Sequence, residues 1–183
     1  STTEGARSLG DGRIQRSGSG QTLIGPAANQ PLSERSFDCG QALITPAGPM
    51  PINWQDDLLP TLWLKLAINA VINPITAWHS LTNGDLLAPT WRAEIETLCA
   101  EISAVATACQ QTLPDDLVAR VLSVAQQTSA NHSSMRVDVD AGRATEIDFI
   151  TGYLLRQGYE AGLKTPRLSD WHQRLLSLQP PLT

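Results

Sequence analysis

Apolar and polar positions follow two different patterns along the chain, and the pattern changes near residue 54. In the first part, short β-prone pieces such as residues 13–15 and 22–24 alternate with glycines, which predicts short strands joined by tight turns. A short helix is predicted over about residues 32–43, followed by a proline-rich turn and an extended piece at residues 52–54. Because two paired strands alone are marginally stable in water, we expect these strands to belong to a larger sheet.

Beyond residue 54, apolar residues recur at helical spacing as far as the C-terminus. Thr145 and Asp148 resemble the two ends of a capping box at the start of one helix, and Gly162 can end that helix in the left-handed conformation. The pattern therefore predicts a mainly α body of about five helices, over about residues 56–78, 89–110, 114–129, from Thr145 to Gly162, and 168–178.

The charge balance narrows the classes of partner. The 183 residues hold 13 basic and 18 acidic side chains, a net charge of −5, and 42% of them are apolar. An acidic chain is a poor match for nucleic acid, because phosphate binding needs clustered lysine and arginine. The longest uncharged stretch, residues 66–84, contains asparagine, proline and histidine, which a bilayer core penalises, so we expect no membrane partner.

The three cysteines, Cys39, Cys99 and Cys109, bear on the compartment. They form no C-x-x-C pair and have no histidine at metal-ligand spacing, so we expect neither a disulfide framework nor a metal site. A reducing compartment, the cytoplasm, is the simplest interpretation. The chain opens with Ser1 rather than methionine, and we expect its start to be a cut within a longer protein or a processed end.

The first long helix carries a polar stripe on an otherwise apolar surface. Lys65, Asn69 and Asn73 are spaced i, i+4, i+8, which places them on one face. Burying an ammonium and two carboxamides without partners would cost several kcal/mol, so polar groups must face them. Two interpretations stay open: a polar seam satisfied by neighbouring helices with Lys65 paired to a carboxylate, or a pocket wall for a small anionic, hydroxylated ligand.

Three further polar motifs each have an ordinary structural interpretation. Residues 131–135 fall between two helices, where short polar side chains typically cap helix ends. Glu146 stands in the first turn of the next helix, where an acidic side chain complements the helix dipole. Asn83 and Gly84 form a common turn signal.

Taken jointly and in order, these motifs resemble the C-terminal half of the ketopantoate reductase family (2-dehydropantoate 2-reductase). The resemblance extends from about residue 2 to residue 166, and the joint order and spacing are more specific than any single motif. The matching pattern is Trp63-x-Lys65-x₃-Asn69-x₃-Asn73-Pro74-x-Thr76, Asn83-Gly84-Asp85-Leu86, Asn131-x-Ser133-Ser134-Met135-x₂-Asp138 and Thr145-Glu146-Ile147-Asp148-x₃-Gly152.

The resemblance implies a fold and a reaction. The fold would be mainly α, a helical C-terminal domain of the 6-phosphogluconate-dehydrogenase-like type preceded by a small β remnant of a Rossmann-type sheet. Residues 1–53 would be the last strands and a short helix of a nucleotide-binding domain that is otherwise absent, and residues 54–183 the helical substrate domain. The family reduces ketopantoate to pantoate with NADPH, in pantothenate biosynthesis, so the partner would be a small 2-oxo acid.

The resemblance also assigns roles to single residues. Lys65 matches the catalytic lysine, which donates a proton to the carbonyl oxygen, and Glu146 matches the acidic residue that holds the substrate hydroxyl. A cationic donor suits this reaction, because hydride addition develops negative charge on the carbonyl oxygen. The other matches are substrate-contacting or polar residues of the same cleft: Asn69, Asn73, Ser134, Asn131 and Asn83.

The chain departs from the family in its cofactor motif. No G-x-G-x-x-G leads from a strand into a helix, although Gly10-Asp-Gly12 and Gly18-Ser-Gly20 begin that way. We therefore expect NADPH to be bound mainly by a missing N-terminal domain, and the chain alone to be inactive. It would be a fragment, an isolated domain or the product of a split gene. Partners compatible with exposed strand edges are a second copy of the chain or a separate cofactor-binding chain.

Two alternatives remain at this point. One is a non-catalytic helical interaction or oligomerisation module, in which the polar stripe is only structural. The other keeps the reductase and changes the 2-oxo acid, because family resemblance fixes the reaction class better than the substrate.

Overall fold

The computed structural model describes residues 5–10, 13–18, 21–26, 34–44 and 51–180. The chain divides into two compact units between Leu62 and Trp63. In its described residues the first unit contains all the strands and one complete helix, and the second unit is helical.

The first unit contains two small sheets. Strands β1 (Gly5–Gly10) and β2 (Arg13–Gly18) pair antiparallel, and β3 (Thr22–Ile24) pairs in parallel with β4 (Ile52–Trp54). Helix α1 (Glu34–Ala42) lies between β3 and β4 in the sequence, which is the crossover connection that a parallel pair requires. The strands predicted at residues 13–15 and 22–24 are confirmed, as are the helix predicted at about residues 32–43 and the extended piece at residues 52–54.

Aromatic side chains join α1 to β4. The ring of Phe37 meets the ring of Trp54 edge-on, with centroids 5.1 Å apart. The Trp54 indole also donates a hydrogen bond to Asp56, at 2.7 Å. The Trp54 side chain at the end of β4 is therefore held by an aromatic contact and by a hydrogen bond.

The remaining elements are helical and confirm the mainly α fold. Helix α2 begins in the first unit and continues into the second. In chain order the elements are α2 (Leu59–His79), two short 3₁₀ helices (Asn83–Leu87 and Pro89–Trp91), α3 (Arg92–Ala108), α4 (Leu117–Gln127), α5 (Ser134–Asp140), α6 (Ile147–Glu160) and α7 (Pro166–Leu176).

The core of the helical unit forms around the second half of α2 and around α3. Every residue from Ala70 to Ala77 is buried, which agrees with the nearly uniform apolar sequence of that segment. Helix α3 contacts α4, α6 and α7. The larger side chains with at most 1% exposure include Ile75, Ile95, Leu98, Ile102, Ile147, Leu154, Leu168 and Leu175.

Two carboxylates of α3 anchor the start of α7. Both oxygens of Glu101 accept backbone hydrogen bonds, from Arg167 and Leu168, each at 2.9 Å. Glu94 accepts from the guanidinium of Arg167 and from the indole of Trp171. Backbone N–H groups in the first turn of α7, which have no partner within their own helix, thus donate to a side chain of α3. These bonds fix α7 against α3.

Helix α5 was not expected from the sequence. Ser133 caps it, since its Oγ accepts a hydrogen bond from the backbone N–H of Arg136 at 3.2 Å. The helix has seven residues, including Val137 and Val139, so both its length and its helix propensity are too low to give a clear periodic signal. The capping role expected for short polar residues in this segment is confirmed.

The capping box expected at Thr145 and Asp148 is wrong in detail. Thr145 Oγ1 accepts from the backbone N–H of Ile147, at 3.3 Å, whereas Asp148 bonds to His172, at 2.8 Å. Aspartate is one methylene shorter than the glutamate of a standard box, and the imidazole offers it a nearer partner. At the other end of α6, Gly162 has φ of +70°, as the predicted left-handed stop requires.

The cysteines are free thiols. Cys39 is exposed and Cys99 is buried, and burial, with a smaller contribution from Glu96, raises the pKa of the Cys99 thiol to about 11. Within the described residues, no helix combines the length and the apolar character that a bilayer crossing needs. The same residues contain no cluster of histidine, cysteine and acidic side chains arranged for a metal ion.

Candidate functional site

The polar stripe of α2 lies on one face of a continuous helix. Lys65, Asn69 and Asn73 all fall within Leu59–His79, which continues through Pro74. Residues at this spacing share a face. Lys65 and Asn69 are half-buried and Asn73 is buried, with 6% of its surface exposed. The stripe therefore runs from partly solvated surface towards the core.

The two carboxamides of the stripe have no protein partner in the part of the chain that the structure describes. Neither the Asn69 nor the Asn73 side chain makes a hydrogen bond to any residue there. A polar seam closed by neighbouring helices would give these groups protein partners. Their amide atoms are not among the fully buried ones, so they can meet water or a ligand. This observation favours a wall that faces a ligand.

Asn83 presents a third amide oxygen without a protein partner, and the orientation of this amide is fixed. Its Nδ2 donates to Thr128 Oγ1 at 2.9 Å, and the hydroxyl of Thr128 in turn donates to the carbonyl of Val124 at 2.7 Å. Since the Thr128 proton is already used, Thr128 can only accept from Asn83, and the amide cannot turn over. Oδ1 of Asn83 is buried and has no partner among the described residues.

The backbone joins Asn83 directly to Asn131. The N–H of Asn83 donates to the carbonyl of Asn131 at 2.9 Å, and the N–H of Gly84 donates to the carbonyl of Ser129 at 3.1 Å. A Cβ added at Gly84 would lie 2.7 Å from the Cβ of Ser129, so only glycine allows this approach. Two of the predicted site residues are thereby brought together from segments far apart in sequence.

The start of the 3₁₀ helix that carries Asn83 is held by a carboxylate. Asp85 accepts hydrogen bonds from the hydroxyl and from the backbone N–H of Thr82, both at 2.8 Å. These bonds lower the pKa of Asp85 below its usual value. The ionised form of Asp85 therefore stabilises the local backbone on which Asn83 sits.

Replacing Asp85 by asparagine should lower the melting temperature at neutral pH and lower it less in acid. Because the folded-state pKa of Asp85 is depressed, its stabilisation is present above the pKa of the unfolded chain, about 3.9, and is lost as the pH falls through the folded-state value. Melting curves of the wild type and of Asp85→Asn at about pH 7 and about pH 2.5 measure this. A melting difference that stays constant with pH would contradict it.

A buried chain of hydrogen bonds ties α5 to α2. The hydroxyl of Thr76 donates to the carbonyl of Ile72 at 2.8 Å, so the contact of 2.8 Å between Thr76 and Ser133 must have Ser133 as donor. Ser133 Oγ also accepts from the N–H of Arg136. Ser134, the next residue, is consequently placed at the start of α5, beside the helix that carries the stripe, and is exposed.

Glu146 stands immediately before α6 and is exposed. Its carboxylate makes no hydrogen bond or ion pair with the residues that the structure describes, so neither interaction joins it to Lys65. Helix α2, which carries Lys65, and helix α6, which begins directly after Glu146, do meet, since the rings of Trp63 in α2 and Tyr153 in α6 are 5.9 Å apart. The individual roles of Lys65 and Glu146 stay predictions.

Two supporting residues of this site had no assigned function in the sequence analysis. Thr76 stood within the matched motif, but a threonine in a helix gives no signal of its partner. No sequence motif indicated a role for Thr128, because its contact with Asn83 spans 45 positions along the chain.

An open depression of about 620 Å³ lies elsewhere, between the end of α3 and the start of α4. Its lining includes Ser103, Thr107 and Asp115, and none of the predicted site residues. It contains no convergent set of buried polar groups, so we assign it no part in the site.

Comparison with known proteins identifies a family to which this chain is similar. A family model described as the C-terminal region of ketopantoate reductase PanE/ApbA matches residues 57–177. The 2-dehydropantoate 2-reductase of Vibrio cholerae is 36% identical over 185 residues, which cover 97% of this chain and 59% of that protein. The chain spans about half the length of the curated relatives it matches.

Solved structures share the fold. A PanE/ApbA family ketopantoate reductase from Ralstonia eutropha aligns with a TM-score of 0.81 at 23% identity, covering 97% of this chain and 57% of that one. D-mandelate dehydrogenase, solved with NADH and anilino(oxo)acetate, aligns with a TM-score of 0.82 at 19% identity, covering 97% and 58%. At these identities the likeness shows the fold alone. With the family model matching most of its length, the chain belongs to the ketopantoate reductase family and corresponds to the C-terminal region of that family.

Proposed function

We propose that this chain is the substrate-binding and catalytic region of a reductase that converts a 2-oxo acid into a 2-hydroxy acid. The proposed substrate is 2-dehydropantoate, the compound in the names of its curated relatives. The observation that supports this most directly is the set of carboxamides at Asn69, Asn73 and Asn83 with hydrogen-bonding groups that no described residue satisfies.

These groups suit the chemistry of 2-dehydropantoate, which carries a carboxylate, a ketone and a hydroxyl. Amide N–H₂ groups donate to carboxylate and carbonyl oxygens, as would the hydroxyl of Ser134. Asn83 Oδ1 can only accept, so it suits a water or a hydroxyl hydrogen of the ligand. The exposed carboxylate of Glu146 would accept a hydrogen bond from the substrate hydroxyl.

Lys65 would act at the carbonyl group. As hydride adds to the carbonyl carbon, negative charge develops on the oxygen, and the ammonium group of Lys65 would stabilise this charge and donate the proton that completes the alcohol. The half-buried position of Lys65 supports the role, because a partly dehydrated site strengthens its interaction with that oxygen.

A nicotinamide cofactor, proposed as NADPH, would supply the hydride. The residues present do not form a dinucleotide site, since the sequence contains no G-x-G-x-x-G turn that leads from a strand into a helix. We therefore assign no residue of this chain to the cofactor phosphates. In this proposal they bind to a region that the relatives have in addition to the part matched here, on the same polypeptide or on a separate chain.

A substrate comparison tests the proposed function. Joined to a cofactor-binding region of the family, the wild-type chain should reduce 2-dehydropantoate with kcat/KM at least about 100-fold above that for 3-methyl-2-oxobutanoate, which lacks the hydroxymethyl group. Glu146→Gln should narrow this preference about tenfold, because a neutral amide accepts the hydroxyl more weakly than a carboxylate. Steady-state kinetics with NADPH and NADH measure both.

Other outcomes of this comparison identify the alternatives. A higher kcat/KM for a different 2-oxo acid, such as phenylglyoxylate, would support a related reductase of other specificity. An absence of turnover with every 2-oxo acid, in a folded protein that binds the cofactor, would overturn the enzyme assignment in favour of a helical interaction module.

A further inference from the structure

We propose that Gln179 and His172 position Glu146 by holding the start of α6 from both sides. This inference rests on the proposed function, in which Glu146 binds the substrate hydroxyl. We call the four side chains involved the α6 clamp; they are Thr145, Asp148, His172 and Gln179. His172 lies in α7 and Gln179 follows it, so the clamp connects the C-terminal helix to the substrate site.

On one side of Glu146, Gln179 makes two reciprocal bonds to Thr145. The backbone N–H of Thr145 donates to Oε1 of Gln179 at 3.0 Å, and Nε2 of Gln179 donates to Oγ1 of Thr145 at 2.5 Å. Thr145 Oγ1 also accepts from the N–H of Ile147. A single amide therefore fixes both the backbone and the side chain of the residue immediately before Glu146.

On the other side, His172 bonds to Asp148. Its Nε2 lies 2.8 Å from Oδ1 of Asp148, and the imidazole side chain is only 15% exposed. Asp148 itself is 63% exposed, so the rigid partner of the pair is the histidine. Because His172 is largely enclosed, it gives Asp148, two residues after Glu146, a defined position.

Helix α7, which carries His172, is itself held in place by α3. The first turn of α7 is fixed to α3 by Glu94 and Glu101, and Trp171, next to His172, is buried. Glu146, in contrast, has only its backbone carbonyl engaged, by the N–H groups of Phe149 and Ile150. Its carboxylate has no partner among the described residues, so its placement depends on the backbone on either side. Displacements of about 1 Å in a binding group reduce rates by up to about 100-fold, which makes such placement consequential.

Gln179→Met tests the clamp, since methionine keeps the length of the side chain and removes both hydrogen bonds. In the reductase assay described above, the variant should raise KM for 2-dehydropantoate about tenfold and leave KM for the cofactor unchanged. Reduction of 3-methyl-2-oxobutanoate, which has no hydroxyl for Glu146 to bind, should change less than about twofold. Thr145→Val, which removes the hydroxyl at the other end of the contact, should reproduce this pattern.

A double-mutant cycle separates positioning from general stability. If Gln179 acts through Glu146, Gln179→Met should raise KM for 2-dehydropantoate less than about twofold in a protein that already carries Glu146→Gln. His172→Phe should show the same dependence on Glu146. Gln173→Met is the matched control, because Gln173 is an exposed glutamine of α7 whose side chain bonds to none of the described residues.

The results distinguish the failure of the clamp from that of the proposed function. If Glu146→Gln narrows substrate preference but Gln179→Met and Thr145→Val leave it unchanged, the clamp is overturned and the function stands. The clamp would also be overturned if the change in KM of the double variant equalled the product of the changes caused by Gln179→Met and Glu146→Gln alone. If Glu146→Gln itself leaves the substrate preference unchanged, both the hydroxyl-binding role of Glu146 and the clamp are overturned. Amide hydrogen exchange at residues 145–147, faster in a folded Gln179→Met than in wild type, gives a readout independent of activity.

Discussion

Replacing Lys65 by methionine should lower kcat/KM for 2-dehydropantoate about 1,000-fold in the reductase assay, with a smaller change in KM. Methionine preserves the length and the apolar part of the side chain, so the loss reports the ammonium group alone. The group is expected to matter most in the transition state, where charge on the carbonyl oxygen is largest.

The sequence provides a matched control for this change. The chain has two lysines, and the second, Lys164, is exposed beyond the end of α6. Lys164→Met should leave kcat/KM within about twofold. The kcat/KM of Lys65→Arg should lie between those of the wild type and of Lys65→Met, because arginine keeps the charge but releases its proton far less readily. A Lys65→Met enzyme within threefold of wild type would show that another group donates the proton.

The largest expected effect on stability is at Leu98. Leu98→Ala should lower the free energy of unfolding of the helical unit by about 2–5 kcal/mol, the cost of lost burial plus a residual cavity. Leu98 is fully buried in α3, the helix that contacts α4, α6 and α7. A cavity there cannot be filled without moving several helices, so we expect a value in the upper part of that range.

Leu176→Ala is the control for the same change of side chain. Leu176 ends α7 and is 39% exposed, so its truncation should cost less than about 1 kcal/mol. Urea unfolding followed by tryptophan fluorescence measures both, since Trp171 reports on the helical unit. Equal costs for the two leucines would show that the core is not centred on α3.

The polar stripe could be predicted from the sequence because it is local. Lys65, Asn69 and Asn73 lie in one helix, and helical geometry alone places them on one face. The same reasoning located α6 and its glycine stop. The resemblance to a family added Glu146 and Ser134, which periodicity alone could not connect to the stripe.

The parts that could not be predicted depend on contacts between distant segments. The orientation of Asn83 is set by Thr128, and the start of α6 is set by Gln179, 34 positions beyond Thr145. Neither pairing leaves a periodic signal, because each partner is a common polar residue at a helix end. Helix α5 was missed for a related reason, since its stability comes from Ser133 and Thr76 rather than from its own seven residues.

Under the proposed function, the fixed amide of Asn83 has a consequence for the design of inhibitors. Because Thr128 prevents the carboxamide from turning over, the oxygen of Asn83 cannot be exchanged for its nitrogen to suit the compound. A compound that places a hydroxyl or an N–H there gains a hydrogen bond, whereas one that places a carbonyl or a halogen there meets lone-pair repulsion in a dry environment. The protein thus imposes a polarity on any molecule that reaches this atom, and a pair of compounds differing only in that donor should differ in affinity accordingly.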